Sequence, residues 1–306
     1  MTRVAAIDCG TNSIRLLVAD VDAERGEFRD LDRRMDIVRL GQGVDRTGRL
    51  APDALARTFA ACETYAGRIA ELGAERVRFV ATSASRDARN REEFVAGVVD
   101  RIGVEPEVVS GAEEAALSFS GATRELLGRT PGPFLVVDVG GGSTEFVLGE
   151  RSVLASVSVD VGCVRLTERH LHDDPPTFEQ VAAARADADA AVRGAALSVP
   201  FEVARTVVGV AGTVTTLAGI HLGLPAYQPE LIHRSVLPAT VVHDLTGLLL
   251  TMTHAERAAL PVMHPGRVDV IGGGAIVVDA VLREVGAEEL VVSEHDILDG
   301  IAWSIA

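Results

Sequence analysis

The amino-acid sequence predicts an α/β protein built from two lobes. Short β-branched strand patterns alternate with helix patterns of three-to-four spacing along the chain. A strand, a tight polar turn and a second strand open the chain around Asp8, and the same pattern returns around Asp138, 130 positions later. This repeat indicates an internal duplication in which each copy opens a lobe of its own.

The first lobe begins with two strand patterns, at 4–7 and 14–21, which are too short and too β-branched for helices. The pattern then changes to a helical period over 52–72, with proline at its start and Gly73 just past its end. Its predicted inward face comprises Leu55, Phe59, Cys62, Ala66 and Ile69. Next we expect a strand running into a polar loop at 76–85, a helix at 91–103 with Phe94, Val98 and Ile102 inward, a strand at 107–110 and a helix from 113.

The second lobe repeats the strand, Asp-x-Gly turn and strand at 134–150. A long Ala-rich helix from about Phe178, a strand and glycine-rich turn at 206–212, a strand at 289–293 and a helix near Glu294 follow. No low-complexity linker separates the lobes, so their boundary is expected in a helix or short turn near 122–132. We therefore assign 1–124 to the first lobe and 125–306 to the second, with a last helix, about 296–306, that packs back on the first.

Composition limits the chemistry. All 29 basic residues among the 306 are arginine, which excludes a P-loop lysine, a Schiff-base lysine and the strand lysine of a protein kinase. A GC-rich coding sequence is the simplest explanation of this bias. Any phosphate must then be held by arginine, backbone amides, hydroxyls or a metal ion.

The 44 acidic residues give a formal charge of −15, which argues against duplex nucleic acid or an anionic membrane as a partner. Cys9, Cys62 and Cys163 have no metal-binding or redox spacing, and Asp8 interrupts the first apolar stretch. We therefore expect a soluble cytoplasmic protein. The almost uncharged stretch 206–229 is interpreted as a buried strand, loop and helix rather than a membrane span.

The first hairpin tip, at 8–13, combines an acid, a glycine and hydroxyl groups. Gly10 permits close backbone approach, and the amides and hydroxyls of Thr11, Asn12 and Ser13 can converge on an anion. Asp8 offers an oxygen to a hard cation. The alternative is an Asx-type turn without a ligand.

The second tip, at 138–145, has three consecutive glycines between two strands. A plain hairpin needs one or two positions with positive φ, so a triplet favours an oxyanion packed against bare backbone N–H groups; a loose turn is the alternative. The glycines lead into a strand and not into a helix, which excludes a dinucleotide-binding fingerprint. A third loop, 209–216, leads into a helix whose N-terminus suits an anion, although Thr213 fits an N-cap equally well.

Two stretches carry candidate charged groups. Ser110 and Glu113 have capping-box spacing, so we expect the Glu113 side chain to turn back to the helix start and Glu114 to serve as a general base. From spacing alone, a solvated surface carboxylate remains open for Glu114. In the loop 81–90, Asn90 and Glu93 also have capping-box spacing, and Arg86 or Arg89 is positioned either for phosphate or for an ion pair with Asp87. His170, His172 and His295 lack ligand spacing and are interpreted as structural or surface residues.

With these residues in view, the chain resembles the exopolyphosphatase/guanosine pentaphosphate phosphohydrolase family, which is related to acetate and sugar kinases, heat-shock chaperones and actin. The resemblance rests on DCGTNSIRLLV, ATSASRDARN, SGAEEA, DVGGGSTEFVLG, GVAGTVTTLAG and SEHDILDGIA. It implies two ribonuclease-H-like lobes, each a mixed sheet with flanking helices, and a site in the interlobe cleft. Longer family members append helical domains, and this chain ends after the second lobe.

The resemblance also implies roles. Glu114 is the catalytic glutamate, and Arg86 is the arginine of the ATxxxRxAxN motif. The expected phosphate ligands are Gly10, Thr11, Asn12, Ser13, Arg15, Arg86, Gly140, Gly141, Gly142, Ser143, Thr144, Gly212 and Thr213. The expected ligands of Mg²⁺ or Mn²⁺ are Asp8, Asp138 and Glu145.

The expected activity is hydrolysis of the terminal phosphate of inorganic polyphosphate by a homodimer. Conversion of guanosine pentaphosphate to tetraphosphate is the nearest alternative. Transfer of phosphate from polyphosphate to ADP and alarmone binding without catalysis are the remaining, less favoured alternatives.

Overall fold

The computed structural model describes residues 1–306 and divides into two compact units. The first comprises Met1–Gly121 and Ile297–Ala306, and the second comprises Ala122–Asp296. The chain therefore leaves the first unit three residues earlier than the sequence-based boundary at 124, and the last ten residues belong to the first unit.

The first unit is built around a five-stranded mixed sheet in the order β3-β2-β1-β4-β5. Strands β1, β2 and β3 are antiparallel, and β4 and β5 run parallel to β1. The elements are β1 (Thr2–Cys9), β2 (Ser13–Asp22), β3 (Glu27–Ile37), α1 (Val44–Thr47), α2 (Pro52–Leu72), β4 (Arg76–Ala81), α3 (Ser83–Asp87), α4 (Arg91–Ile102), β5 (Glu107–Val108) and α5 (Gly111–Thr123).

The second unit has a six-stranded mixed sheet in the order β10-β11-β9-β6-β7-β8. Its elements are β6 (Phe134–Val139), β7 (Thr144–Gly149), β8 (Val153–Val159), α6 (Cys163–His170), α7 (Phe178–Ala196), β9 (Thr206–Val210), α8 (Ala211–His221), α9 (Pro229–Ile232), β10 (Val236–Pro238), α10 (Ala239–Thr251), α11 (His254–Ala258), α12 (Ile271–Val285) and β11 (Glu289–Val292), with 3₁₀ turns at Phe201–Val203 and Pro265–Arg267. The chain ends with α13 (Ile297–Ser304) in the first unit.

The two sheets share one topology, which confirms the predicted duplication. In each, an antiparallel hairpin is flanked by a third antiparallel strand on one side and by parallel strands on the other. The order β8-β7-β6-β9-β11 thus repeats β3-β2-β1-β4-β5. The sequence did not predict β3 or β8. The alternation of β3 is masked because charged residues predominate in it, as is common on edge strands.

Helix α2 has the predicted bounds because local chemistry fixes both ends. Pro52 occupies the first turn, where its missing N–H costs nothing, and Gly73 closes the helix in the left-handed conformation with φ 69°. Leu55 and Cys62 are buried as predicted, whereas Phe59, Ala66 and Ile69 are half-buried. Helix α4 likewise buries Phe94 and Val98, while Ile102 is half-buried.

The last helix packs on the face of the first sheet opposite α2. Ile297, Leu298 and Ile301 are buried against the apolar side chains of β1 and β2, and burial of each such side chain stabilises by about 1.5–3 kcal/mol. Asp299 is buried in the same interface, where both of its oxygens accept hydrogen bonds from the Arg33 guanidinium, at 2.5 and 3.3 Å.

The core of the second unit surrounds α12, whose residues 271–282 are all buried. Glycines let its neighbours approach: a side chain at Gly273 would collide with Thr167 and Cys163 of α6, and one at Gly274 with Thr213 of α8. The uncharged stretch 206–229 forms β9, α8 and the start of α9. No helix of this fold has the length and apolarity needed to span a bilayer.

Candidate active site

The first hairpin tip has its carbonyl groups fixed from one side. The Thr11 oxygen accepts a hydrogen bond from the Gly41 N–H at 2.9 Å, and the Asn12 oxygen accepts from the N–H groups of residues 38 and 39 at 3.1 and 2.9 Å. In a trans peptide the C=O and the following N–H point in opposite directions. The N–H groups of Asn12 and Ser13 therefore point away from the segment 38–41.

Gly10 is not needed for turn geometry. Its φ lies outside the left-handed region, and a side chain there would meet its nearest neighbours at 3.6 and 3.9 Å, which is ordinary contact. Space above a bare backbone is what a close-lying ligand requires. The Thr11 hydroxyl contacts the Ser83 hydroxyl at 2.9 Å, so α3 is tied directly to this tip.

Asp8 and Arg15 stand opposite each other on β1 and β2. The Arg15 Nη2 and Nε lie 2.6 and 3.0 Å from the Asp8 Oδ2, and Asp8 is 5% exposed. A buried carboxylate paired in this way carries little net charge towards a cation. The pair fits Arg15 as an oriented cation better than it fits Asp8 as a metal ligand.

The second hairpin tip is fixed in the same manner by the start of α6. The carbonyl of Gly140 accepts from the Cys163 N–H at 2.9 Å, and that of Gly141 accepts from the N–H groups of residues 164 and 165 at 2.9 and 3.1 Å. The Gly142 carbonyl accepts from the Arg165 Nε at 2.7 Å. With all three carbonyls turned to α6, the N–H groups of residues 141–143 point to the opposite side. Such a run of backbone donors suits an oxyanion.

Gly162 makes this packing possible. A Cβ at this position would lie 2.6 Å from the Gly141 oxygen and 2.7 Å from the Gly140 oxygen. The backbone at Gly162 is extended, with φ −162° and ψ 172°, so the glycine is required by space and not by its dihedral angles.

Asp138 and Glu145 are a second cross-strand pair, on β6 and β7, at the place that Asp8 and Arg15 occupy in the first hairpin. Side chains directly opposite on antiparallel strands lie on one face with Cβ atoms about 4.5–5.5 Å apart, where like charges repel. Both carboxylates are buried, and the Ser158 hydroxyl donates to the Glu145 Oε1 at 2.6 Å. Two buried carboxylates on one face fit a hard divalent cation.

Thr144 has a structural role, since its hydroxyl donates a hydrogen bond to the Val161 carbonyl at 2.6 Å and its side chain is fully buried. Ser143 is also buried, whereas Gly140 and Gly141 are half-exposed. The accessible part of this tip is therefore its glycine backbone.

Glu114 and Arg86 form an ion pair in the first unit. The Arg86 Nη1 lies 3.0 Å from the Glu114 Oε2 and also donates to the Val109 carbonyl at 3.1 Å. Glu114 is 7% exposed, so the surface-carboxylate alternative is excluded. Because α3 carries both Ser83 and Arg86, it connects the first tip with Glu114.

The expected capping box at α5 is only half present. The Ser110 hydroxyl accepts from the Glu113 N–H at 3.2 Å, as predicted. The Glu113 carboxylate, however, pairs with the Arg78 Nη2 at 2.8 Å and does not turn back to the helix start. A strong cation on the neighbouring strand outcompetes the backbone N–H, and Glu113 keeps a structural role.

Asn90 stands at the predicted N-cap position of α4, but its side chain does not cap the helix. Its Oδ1 accepts from the Leu50 N–H at 2.8 Å and its Nδ2 donates to the Leu50 carbonyl at 3.1 Å. The side chain thus forms hydrogen bonds with both backbone polar groups of the buried Leu50, which is distant in sequence. Local residue spacing cannot predict such a contact.

The third loop begins beside the second tip, since Val210 is paired with Asp138 in the parallel register of β9 and β6. Helix α8 starts at Ala211, which has φ 69°, so Thr213 lies inside the first turn and the N-cap alternative is wrong. Gly212 leaves room for the guanidinium of Arg267, whose Nη1 donates to the Thr216 Oγ1 at 3.0 Å.

Sequence reasoning missed three residues of this region: Gly162, Arg165 and Arg267. Gly162 and Arg165 could have been suspected only because they lie close to a strand end. No local sequence feature distinguishes Arg267. Burial raises the pKa of Cys163 to about 11, although Arg267 acts in the opposite direction, so the protonated thiol is favoured over the thiolate.

The repeated sheet, with an acidic hairpin tip in each copy, defines a two-lobed protein of the actin-like ATPase fold class. The chain belongs to the Ppx/GppA phosphatase family, whose model matches residues 17–306. A protein named Exopolyphosphatase 2 from Mycobacterium tuberculosis is 56% identical over 317 aligned positions, covering 100% of this chain and 99% of that relative.

Solved structures agree with this placement. The crystal structure of an exopolyphosphatase-like protein matches with a TM-score of 0.95 and 44% identity, covering 100% of this chain and 98% of the other. The structure of the Aquifex aeolicus member of the Ppx/GppA family matches with a TM-score of 0.83 and 31% identity, covering 99% and 97%.

Proposed function

We propose that this protein is an exopolyphosphatase that releases orthophosphate from the end of inorganic polyphosphate. The observation that carries the proposal is the orientation of the two hairpin tips. In each tip the carbonyl groups accept hydrogen bonds from one side, so consecutive backbone N–H groups point to the opposite side. Amides fixed in this way bind phosphoryl oxygens without a lysine. The full-length similarity to a protein named Exopolyphosphatase 2 supports this substrate.

Glu114 would act as the general base. It accepts a proton from a water molecule whose oxygen attacks the terminal phosphorus, and the P–O bond to the rest of the chain breaks. The products are orthophosphate and a polyphosphate shorter by one unit. Arg86 orients the Glu114 carboxylate through the 3.0 Å ion pair, and its remaining guanidinium donors can bind a phosphoryl oxygen.

Asp138 and Glu145 would hold Mg²⁺, or Mn²⁺, through their oxygens. When bound, such an ion neutralises negative charge on the phosphoryl oxygens. Asp8, which the resemblance implied as a further ligand, instead orients Arg15 towards the substrate. We therefore expect Asp138→Asn to raise the Mg²⁺ concentration that gives half-maximal activity more than Asp8→Asn does.

The test of the base is Glu114→Gln, with the neighbouring Glu113→Gln as the matched control. Glu114→Gln should lower kcat by about 10²–10⁴-fold while polyphosphate binding is retained, because the amide keeps the shape and loses the basicity. Glu113→Gln should keep turnover within about twofold, because Glu113 pairs with Arg78 outside the site. Phosphate release and equilibrium binding measure the two effects. Near-normal turnover by Glu114→Gln would exclude the proposed base.

Substrate choice is tested with a panel. Short polyphosphate, long polyphosphate and guanosine pentaphosphate are compared at matched phosphate-end concentrations, with and without Mg²⁺. We expect the largest kcat/KM on polyphosphate. Faster release from guanosine pentaphosphate, faster transfer to ADP than to water, or tight guanosine pentaphosphate binding without turnover would each replace the proposal with the corresponding alternative.

We also propose a cytoplasmic homodimer. The three cysteines are free and buried, which suits a reducing compartment. Sedimentation equilibrium over a range of concentrations tests the dimer, and a concentration-independent mass of 32.2 kDa would exclude it.

A further inference from the structure

Three side chains of the types that can bind metal ions converge in the second unit, away from both hairpin tips in the sequence. Glu125 lies in the turn after α5, His233 follows α9, and His295 precedes α13. One ligand atom from each residue lies within 4.8 Å of the other two. The sequence alone predicts a structural or surface role for His295, because ligands from three distant segments leave no recognisable spacing.

The distances between the donor atoms of these side chains are close to those between the ligands of a bound ion. The His233 Nε2 lies 3.1 Å from the Glu125 Oε2, and the His295 Nδ1 lies 3.8 Å from the Glu125 Oε1. With bonds of about 2.0–2.1 Å around a tetrahedral ion, donor atoms lie about 3.3 Å apart. The donor nitrogens of His233 and His295 lie within 4.8 Å of each other, so side-chain rotations that bring them closer would place all three donors around one centre.

We propose that Glu125, His233 and His295 form a site for a divalent transition-type ion such as Zn²⁺, separate from the proposed Mg²⁺ site. Two imidazole nitrogens and one carboxylate oxygen favour Zn²⁺, Co²⁺ or Ni²⁺ over Mg²⁺, which prefers oxygen donors alone. Three protein ligands leave the fourth tetrahedral position to water or to a further ligand. The side chains of Glu125 and His295 are 48% and 30% exposed, so an ion reaches the site from solvent.

Binding has one identifiable cost. The Glu294 N–H donates to the His233 Nδ1 at 3.2 Å, so the ion-free ring carries its proton on Nε2, which donates to Glu125. When a metal takes Nε2, the ring proton moves to Nδ1 and the bond from Glu294 is lost. The affinity should therefore be about tenfold lower than that of a site without this competing bond.

The experiment is a Zn²⁺ titration of the full chain against a competing chromophoric chelator, followed by the visible spectrum of the Co²⁺-substituted protein. We expect one Zn²⁺ per chain. Glu125→Gln and His295→Ala should each weaken binding by at least about tenfold and remove the tetrahedral Co²⁺ spectrum. The matched control His172→Ala removes an exposed histidine and should change neither.

The outcomes separate this site from the catalytic proposal. Asp138→Asn should leave Zn²⁺ affinity unchanged whatever its effect on activity, since the readout is direct binding. Equal Zn²⁺ affinity in the native protein, Glu125→Gln and His295→Ala would overturn the site, as would no binding at about 100 µM Zn²⁺. Both variants change solvent-accessible side chains, so we expect both to remain folded, and circular dichroism tests this.

Discussion

Replacing Gly162 with alanine should disable the second hairpin tip without unfolding the protein. The added Cβ would lie 2.6 and 2.7 Å from two tip carbonyl oxygens, and ordinary contact begins at 3.4 Å. The tip must therefore move by about 0.7–0.8 Å. The same two oxygens accept hydrogen bonds from the Cys163 and Val164 N–H groups, so the movement also weakens the start of α6.

The expected cost of this overpacking is about 1–3 kcal/mol of unfolding free energy. A displacement approaching 1 Å in a group that positions substrate lowers kcat/KM by up to about 100-fold. We therefore expect Gly162→Ala to lose about 30–100-fold in phosphate release from polyphosphate under conditions where it is folded. Urea unfolding and steady-state phosphate release measure the two quantities.

The matched control is Gly194→Ala. Gly194 lies inside α7, and an added methyl group there meets open space. Alanine at a helix position of this kind stabilises by about 0.5–1 kcal/mol, and activity should not change. If Gly162→Ala kept native kcat/KM and native stability, the packing of α6 against the glycine tip would not be what orders the site.

Three further changes test the charged and polar interior. Asp299→Asn should cost about 2 kcal/mol of unfolding free energy in urea, because it leaves the partly exposed Arg33 without its buried partner. Asp20→Asn should remove a stabilising contribution that depends on pH. The hydrogen bond with Arg3 is the largest cause that lowers the pKa of Asp20 from 3.8 to about 2, so this contribution is present above pH 4 and is lost as the pH falls towards 2. At neutral pH it amounts to about 1–2 kcal/mol of unfolding free energy, which urea unfolding across this pH range measures. Ser85→Ala should stabilise by about 1 kcal/mol, because the hydroxyl is fully buried without a hydrogen-bond partner.

Each of these changes has a contrasting outcome. The exposed pair of Asp53 and Arg57 provides the control for Asp299, since Asp53→Asn should cost less than about 0.5 kcal/mol. Equal costs would mean that burial of Asp299 adds nothing. A stability difference between Asp20→Asn and the native protein that stayed constant down to pH 2 would contradict the lowered pKa of Asp20. A destabilised Ser85→Ala variant would mean that the hydroxyl has a hydrogen-bonding role.

The two-lobed α/β class, the repeat of the acidic hairpin and the bounds of α2 could all be predicted from the sequence. These features depend on neighbours within one turn or one strand: apolar spacing, proline at a helix start, glycine at its end, and an Asp-x-Gly turn between strands. The sequence also distinguished Glu114 from Glu113, which point in different directions from the helix: Glu114 is buried beside Arg86, whereas Glu113 pairs with Arg78.

The partners of Glu113 and Asn90 could not be predicted from the sequence. Glu113 binds Arg78 and Asn90 binds the backbone of Leu50, because partners distant in sequence are closer in space than the predicted caps. The same holds for the packing of Gly162 and for the Glu125, His233 and His295 cluster. A hydrogen bond or a metal ligand set depends on distances of a few ångströms, and folding sets those distances between residues that no local pattern connects.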